Sequence, residues 1–142
     1  MVRRRGYRFK TRKQQGEWAQ LLFMARASEM GLAVSQPYGD SCSYDVGIEH
    51  HGRLLRIQVK SVTYQRDGAF TCNLVGPGHA RYRRGCVDLF AIYLIPLGLW
   101  YIIPFEAAVG TSLQFAPGRK GQKYERYIEA WHWLRGEEKS RA

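Results

Sequence analysis

The chain has 142 residues, the size of a single domain with one sizeable core. Hydrophobic residues at 45% and aromatics at 13% set aside a disordered chain, and no apolar run approaches the roughly 20 residues of a membrane span. A formal net charge of +10 favours a polyanionic partner, nucleic acid ahead of an anionic membrane surface, because no segment reads as a basic amphipathic anchor.

Residues 1 to 13 hold Arg3, Arg4, Arg5, Arg8, Lys10, Arg12 and Lys13 without one acidic residue, and such a like-charge block reads as a flexible arm suited to phosphates. No apolar run follows it, so no signal peptide is expected. The three cysteines Cys42, Cys72 and Cys86 are widely separated and fit small core residues of a reducing, cytoplasmic compartment. From Gln14 to Met30 an apolar stripe through Trp18, Leu21, Leu22 and Ala25 predicts a helix stopped by Gly31, with Glu17 in its opening turns. Leu32 to Val34 reads as a short strand. Tyr44, Val46 and Ile48 alternate with Asp45, Gly47 and Glu49, and His51-Gly52 turns that strand into Leu54 to Val62.

Ala69 to Val75 is expected as a further strand. Gly76 to Gly85 is a loop rich in Gly and Arg, followed by apolar runs at Leu89 to Ile95 and Leu99 to Ile103 joined through Pro96-Leu97-Gly98. Phe105 to Val109 is a short helical turn, Gly110 to Gln122 a loop, and Lys123 to Arg135 an amphipathic helix from the spacing of Tyr124, Tyr127, Ile128, Trp131 and Leu134. Residues 14 to 135 then form one domain, with a polar tail at 136 to 142. Helix, strands and closing helix together suggest a mixed sheet in an α/β sandwich.

The chemistry-bearing stretch is Asp45 on the first hairpin strand with Gln58-Val59-Lys60 on the second. Residues two apart on a strand share a face, so Gln58 and Lys60 can join Asp45 while Ile57 and Val59 turn to the core. A lysine on the inner half of a sheet is costly unless paired or functional. Other readings stay open: Asp45 as an exposed or turn-capping acid, Glu17 as a first-turn acid favoured by the helix dipole, and Gln58 with Lys60 as the polar side of an edge strand. Arg81, Arg83 and Arg84 around Tyr82 form a second basic cluster, for phosphates or simply for solvent, and Tyr64, Gln65 and Arg66, just past the motif strand, are placed to reach into a nucleic-acid groove. Asp88 is expected to pair with Arg83 or Arg84 or to cap a turn, Glu106 to start a helical turn, and Trp131 and Trp133 to pack.

A helix with Glu17, a strand with Asp45 and a strand with Gln58-Val59-Lys60 resemble, in that order, the PD-(D/E)XK nuclease superfamily, and in particular homing endonucleases of group I introns and Holliday-junction-resolvase-like nucleases. The likeness runs from about Gln14 to Val109 and continues through Val87 to Tyr93 and Trp100 to Pro104. It implies a restriction-endonuclease-like αβββαβ core and a Mg²⁺-dependent endodeoxyribonuclease, with Mn²⁺ as a substitute. The resemblance makes Asp45, Glu17, Gln58 and the Val59 carbonyl the metal ligands and gives Lys60 the attacking water. Double-stranded or branched DNA is the implied substrate and a homodimer or homotetramer the implied assembly. Gln58 stands where the motif has an acid, a change the intron-encoded members share. A binding module of the same fold without catalysis, or an RNA-processing nuclease, are the alternatives.

Overall fold

The computed structural model describes residues 6–39 and 41–135. Helix α1, Arg12–Glu29, begins two residues before the predicted start because the Thr11 hydroxyl accepts the Gln14 amide at 3.0 Å and caps the first turn. It ends where Gly31, at φ 79°, donates to the Ser28 carbonyl while Leu32 donates to Ala27. That pairing satisfies the last carbonyls and turns the chain sharply into the sheet.

The main sheet contains β1 (Ala33–Ser35), β2 (Val46–His50), β3 (Arg53–Val62), β6 (Leu89–Leu94) and β7 (Leu99–Pro104), in the spatial order β1-β2-β3-β6-β7. Only β3 and β6 run parallel; the other neighbours are antiparallel. The turn joining β2 to β3 places His51 at φ 51° and Gly52 at φ 75°, the left-handed pair that a two-residue hairpin needs to follow the strand twist. Gly47 lets β1 close on β2, since a Cβ there would sit 2.5 Å from the Ser35 hydroxyl oxygen.

Between β3 and β6 the chain forms β4 (Gln65–Arg66), β5 (Ala69–Asn73) and a 3₁₀ turn at Pro77–His79. The αβββαβ pattern has a helix at this crossover. Here β4 pairs with β5, and β5 with β8 (Ser112–Phe115), in a separate three-stranded sheet. The Ala69 strand is therefore present but belongs to this second layer, and β8 lies within the stretch expected to be a loop. The fold is a mixed α/β domain of three layers: α1, the five-stranded sheet and the three-stranded sheet.

Strand alternation divides the core between the two faces of the main sheet. Ile57, Val59, Leu89, Ala91, Trp100 and Ile102 meet Ala19, Phe23 and Ala27 of α1. Val62, Phe90, Ile92, Leu94, Tyr101 and Ile103 meet Phe70, Cys72, Leu113 and Phe115 of the small sheet. Every residue of β6 is buried, as a central strand covered on both faces requires.

The expected closing helix over Lys123 to Arg135 does not form. Short 3₁₀ turns at Glu125–Tyr127 and Trp131–Arg135 are separated by a break in which Ile128 bridges to Tyr101 on the edge of β7. Glu129, at φ 49°, donates its amide to the Trp100 carbonyl, and its carboxylate accepts the Trp100 amide at 3.1 Å and the Trp131 indole N–H at 2.6 Å. Pairing with a sheet edge outweighs the local helical spacing. Trp131 is nonetheless buried, stacked on Phe23, so the expectation of packing holds for it.

Candidate active site

Strand β3 is ten residues long, but β2 covers it only as far as the pair Val46–Ile57. Beyond that point the Val59 amide needs another acceptor, because an unpaired backbone group in a sheet is costly. Asp45, the residue just before β2, supplies it: its carboxylate accepts the Val59 N–H at 3.0 Å while its own amide donates to Ile57 O at 2.9 Å. A residue's N–H and C=O leave an extended strand on the same side, so the Val59 carbonyl also points toward the Asp45 edge.

Gln58 and Lys60 lie on the face of β3 that looks toward the small sheet, Gln58 buried at 9% exposure and Lys60 half-buried. With Asp45 they form one wall of an open cleft of about 590 Å³. Ser41, Cys42 and Ser43 make its rim, and the loop from Val75 to Arg83 stands opposite, contributing Arg81, Tyr82 and Arg83. Burial pushes the Asp45 carboxyl above the ordinary aspartate range, against the opposing pull of the Val59 amide and the Lys60 charge. The Lys60 ammonium lies 3.4 Å from the Val75 carbonyl oxygen and 5.4 Å from the centre of the Tyr82 ring.

Three of the four expected site residues thus come together. Glu17 does not join them: it is exposed on α1, whose packed side faces Ile57 and Val59, and it is not among the residues lining the cleft. Two residues earlier, Gln15 reaches Ser61 with a 3.0 Å hydrogen bond, so the start of the helix is anchored at the far end of β3. Among the expected binding residues, Arg81 and Arg83 line the cleft, Arg84 is exposed outside it, Tyr64 is exposed just before β4 and Arg66 within it, and Arg8 and Lys10 are exposed ahead of α1. Arg3, Arg4 and Arg5 lie outside the described residues.

Asp88 pairs with Arg56 rather than with Arg83 or Arg84. Its carboxylate accepts the Arg56 amide at 2.7 Å and two guanidinium contacts at 3.0 and 3.2 Å, and Asp88 N returns a bond to Arg56 O. Burial works to raise its pKa, yet the Arg56 hydrogen bonds and charge outweigh it and hold the carboxyl below its usual range. Nothing in the sequence pointed to the Ser41–Ser43 rim or to the cysteine there: Cys42 is exposed, whereas Cys72 is buried as expected.

A family model described as PD-(D/E)XK endonuclease matches residues 10–134, nearly the whole chain. The chain belongs to the PD-(D/E)XK endonuclease family. The match spans both walls of the cleft, and the family makes the protein a nuclease. A bacterial homing endonuclease of known structure superposes with a TM-score of 0.76 and 28% identity, over 87% of this chain and 93% of that one. A Holliday junction resolvase from Archaeoglobus fulgidus shares the fold at a TM-score of 0.54 and 16% identity, over 84% of this chain and 95% of that one. No curated protein sequence gave a match.

Members of this family generally use divalent metals, and the donors at the cleft suit a hard ion. No group of three or more His, Cys, Asp or Glu side chains is poised to hold a metal among the described residues. The Asp45 carboxylate and the Gln58 amide oxygen line the cleft, and the Val59 carbonyl points toward the same strand edge. Those hard oxygen donors fit Mg²⁺, which keeps much of its water and takes one or two carboxylates with substrate phosphates.

Proposed function

We propose that this PD-(D/E)XK protein is a Mg²⁺-dependent endodeoxyribonuclease that hydrolyses phosphodiester bonds in double-stranded or branched DNA, with homing endonuclease as the nearest functional type. The observation that carries the reading is the juxtaposition in one open cleft of the Asp45 carboxylate, the Gln58 amide and the Lys60 ammonium, faced by Arg81 and Arg83. In this proposal Asp45, the Gln58 amide oxygen and the Val59 carbonyl hold the metal, with Mn²⁺ able to replace Mg²⁺, and Glu17, outside the cleft, is not one of its direct ligands. The ion supplies Lewis-acid stabilisation of charge developing on the phosphate.

Lys60 Nζ donates to the attacking water and to a phosphate oxygen, orienting the one against the other. Arg81 and Arg83 take flanking phosphates across the cleft, while Arg3, Arg4, Arg5, Arg8, Lys10, Arg84, Tyr64 and Arg66 extend the contact along the duplex. The net charge of +10 favours such a polyanion and makes its binding salt-dependent. Cutting both strands calls for two sites, hence a homodimer or homotetramer, acting in the cytoplasm; no helix among the described residues is long and apolar enough to cross a membrane.

A second reading, a DNA-binding module without catalysis, draws on Gln58, which is neutral where the motif has an acid. The deciding experiment incubates the purified chain with supercoiled plasmid, a four-way DNA junction and a structured RNA, in Mg²⁺, Mn²⁺ or EDTA. Nicking or cutting of DNA that EDTA stops and the Lys60→Ala variant lacks supports the proposal. Binding without cutting favours the module, and preferential cutting of RNA favours an RNA-processing nuclease.

A further inference from the structure

Lys60 is a half-buried cation in no contact ion pair: those among the described residues are Arg26–Glu29 and Arg56–Asp88, and the Asp45 carboxylate acts on Lys60 only from a longer distance. Two neutral groups of the facing loop meet its head instead, the Val75 carbonyl oxygen at 3.4 Å and the face of Tyr82 at 5.4 Å. A carboxylate in that place would hold the ammonium tightly and compete with a phosphate for it. A carbonyl dipole and an aromatic face attract it more weakly and leave its remaining N–H groups free to donate.

The loop is built to keep both groups in place. Gly76 N donates to Ala80 O at 2.7 Å, His79 N donates to Gly76 O at 3.1 Å, and Val75 bridges to Arg81, so the segment closes into a tight turn. The left-handed Gly78 and His79, at φ 70° and 59°, make that closure possible. The Tyr82 ring lies beside Gly76, where a Cβ would come within 3.7 Å of it, and meets Phe90 of β6 edge-on at 5.6 Å. Phe90 is itself buried in the core between the two sheets, so the orientation of Tyr82 is fixed from the interior.

We propose that Tyr82 is a positioning residue for Lys60: its ring, braced on Phe90, and the Val75 carbonyl aim the lysine ammonium into the cleft, where no carboxylate is in ion-pair contact with it. The inference rests on the nuclease reading for its consequence but not for its geometry, which a metal-free and DNA-free measurement can test. In protein carrying ¹³C-lysine, the Lys60 ε-methylene signal, assigned by its disappearance in Lys60→Arg, is displaced upfield of those of Lys10 and Lys120 by the Tyr82 ring. Tyr82→Phe keeps the displacement and Tyr82→Leu removes it.

At saturating plasmid with Mg²⁺, Tyr82→Leu lowers the nicking rate roughly tenfold, the scale of a partly desolvated cation–π contact, while its plasmid affinity stays within about twofold and Tyr82→Phe cuts at the wild-type rate. A wild-type Lys60 signal without ring-current displacement overturns the proposal, whatever the variants do. So does Tyr82→Leu nicking at the wild-type rate while Lys60→Ala is dead, and so does a Tyr82→Leu defect that appears in affinity alone, which would make the tyrosine a DNA contact. Should Lys60→Ala itself cut normally, the failure belongs to the nuclease reading of Lys60.

Discussion

Asp88 stands at the joint of three strands, and its replacement tests whether the parallel pairing behind the cleft depends on it. Asp88→Ala removes the 2.7 Å acceptor of the Arg56 amide and both guanidinium contacts, while Phe105 N still reaches the Asp88 backbone carbonyl. Both side chains of the ion pair are 31% exposed, so water screens the guanidinium contacts and their removal costs about 0.5–1 kcal/mol. The Arg56 amide, left without its acceptor between two strands, adds about 1–3 kcal/mol. A total of about 1.5–4 kcal/mol, at about 4 °C per kcal/mol for a chain of this length, lowers the melting temperature by about 6–16 °C.

Asp88→Asn keeps an oxygen for the amide and should lose only about 1 kcal/mol. The pH dependence has a definite sign. A carboxyl held below its unfolded pKa stabilises fully above the ordinary range and loses that stabilisation as pH falls through its folded value. Calorimetric melts should therefore show a constant gap between wild type and Asp88→Asn from about pH 8 to 5, narrowing below about pH 4. An alanine variant melting within about 2 °C of wild type, or a gap that widens in acid, would refute the clamp.

Two further outcomes follow from the site and the N-terminal segment. Gln58→Glu adds a charged oxygen beside Asp45, so calorimetry should register tighter Mg²⁺ binding without DNA, with cleavage slowed as the new carboxylate engages Lys60; unchanged metal affinity would mean that Gln58 does not face the ion. Removing residues 1 to 5 should flatten the salt dependence of DNA binding by roughly 0.9 in the log–log slope for each phosphate no longer neutralised, and an unchanged slope would make those arginines bystanders. A longer truncation would confuse the result, because Tyr7 and Phe9 pack their rings on Trp18 and Thr11 caps α1.

Where a segment's environment repeats with its own period, the sequence disclosed it. The runs at Leu89–Leu94 and Leu99–Pro104 are buried nearly throughout, and the alternation around Asp45 and Gln58–Lys60 assigned the correct face to each residue. Partners distant in sequence decided the rest. The spacing of Tyr124 to Leu134 is helical, yet the β7 edge captured Ile128 and Glu129. In β8 only Leu113 and Phe115 are buried, and such a short alternation among glycine, serine and proline carries little signal until β5 is there to pair with it. The same holds for the cleft: its motif wall lies within one hairpin and was legible, whereas the Val75–Arg83 wall depends on how a loop folds back over β3.

The central claim, that this cleft is a metal-dependent DNA-cleaving site, is tested most directly by Asp45→Asn. The asparagine oxygen can still accept the Val59 N–H that Asp45 takes at 3.0 Å, so the local backbone keeps its partner. Burial raises the Asp45 pKa despite the Val59 amide and Lys60, which means the ionised carboxylate costs stability in the metal-free fold as pH rises past its unfolded value; the neutral variant should melt at or above the wild-type temperature at pH 7. With the fold so verified, Mg²⁺-dependent nicking of supercoiled plasmid should fall by about two to three orders of magnitude, the usual effect of removing a preorganised electrostatic contributor. Wild-type nicking by a fully folded Asp45→Asn would contradict the account.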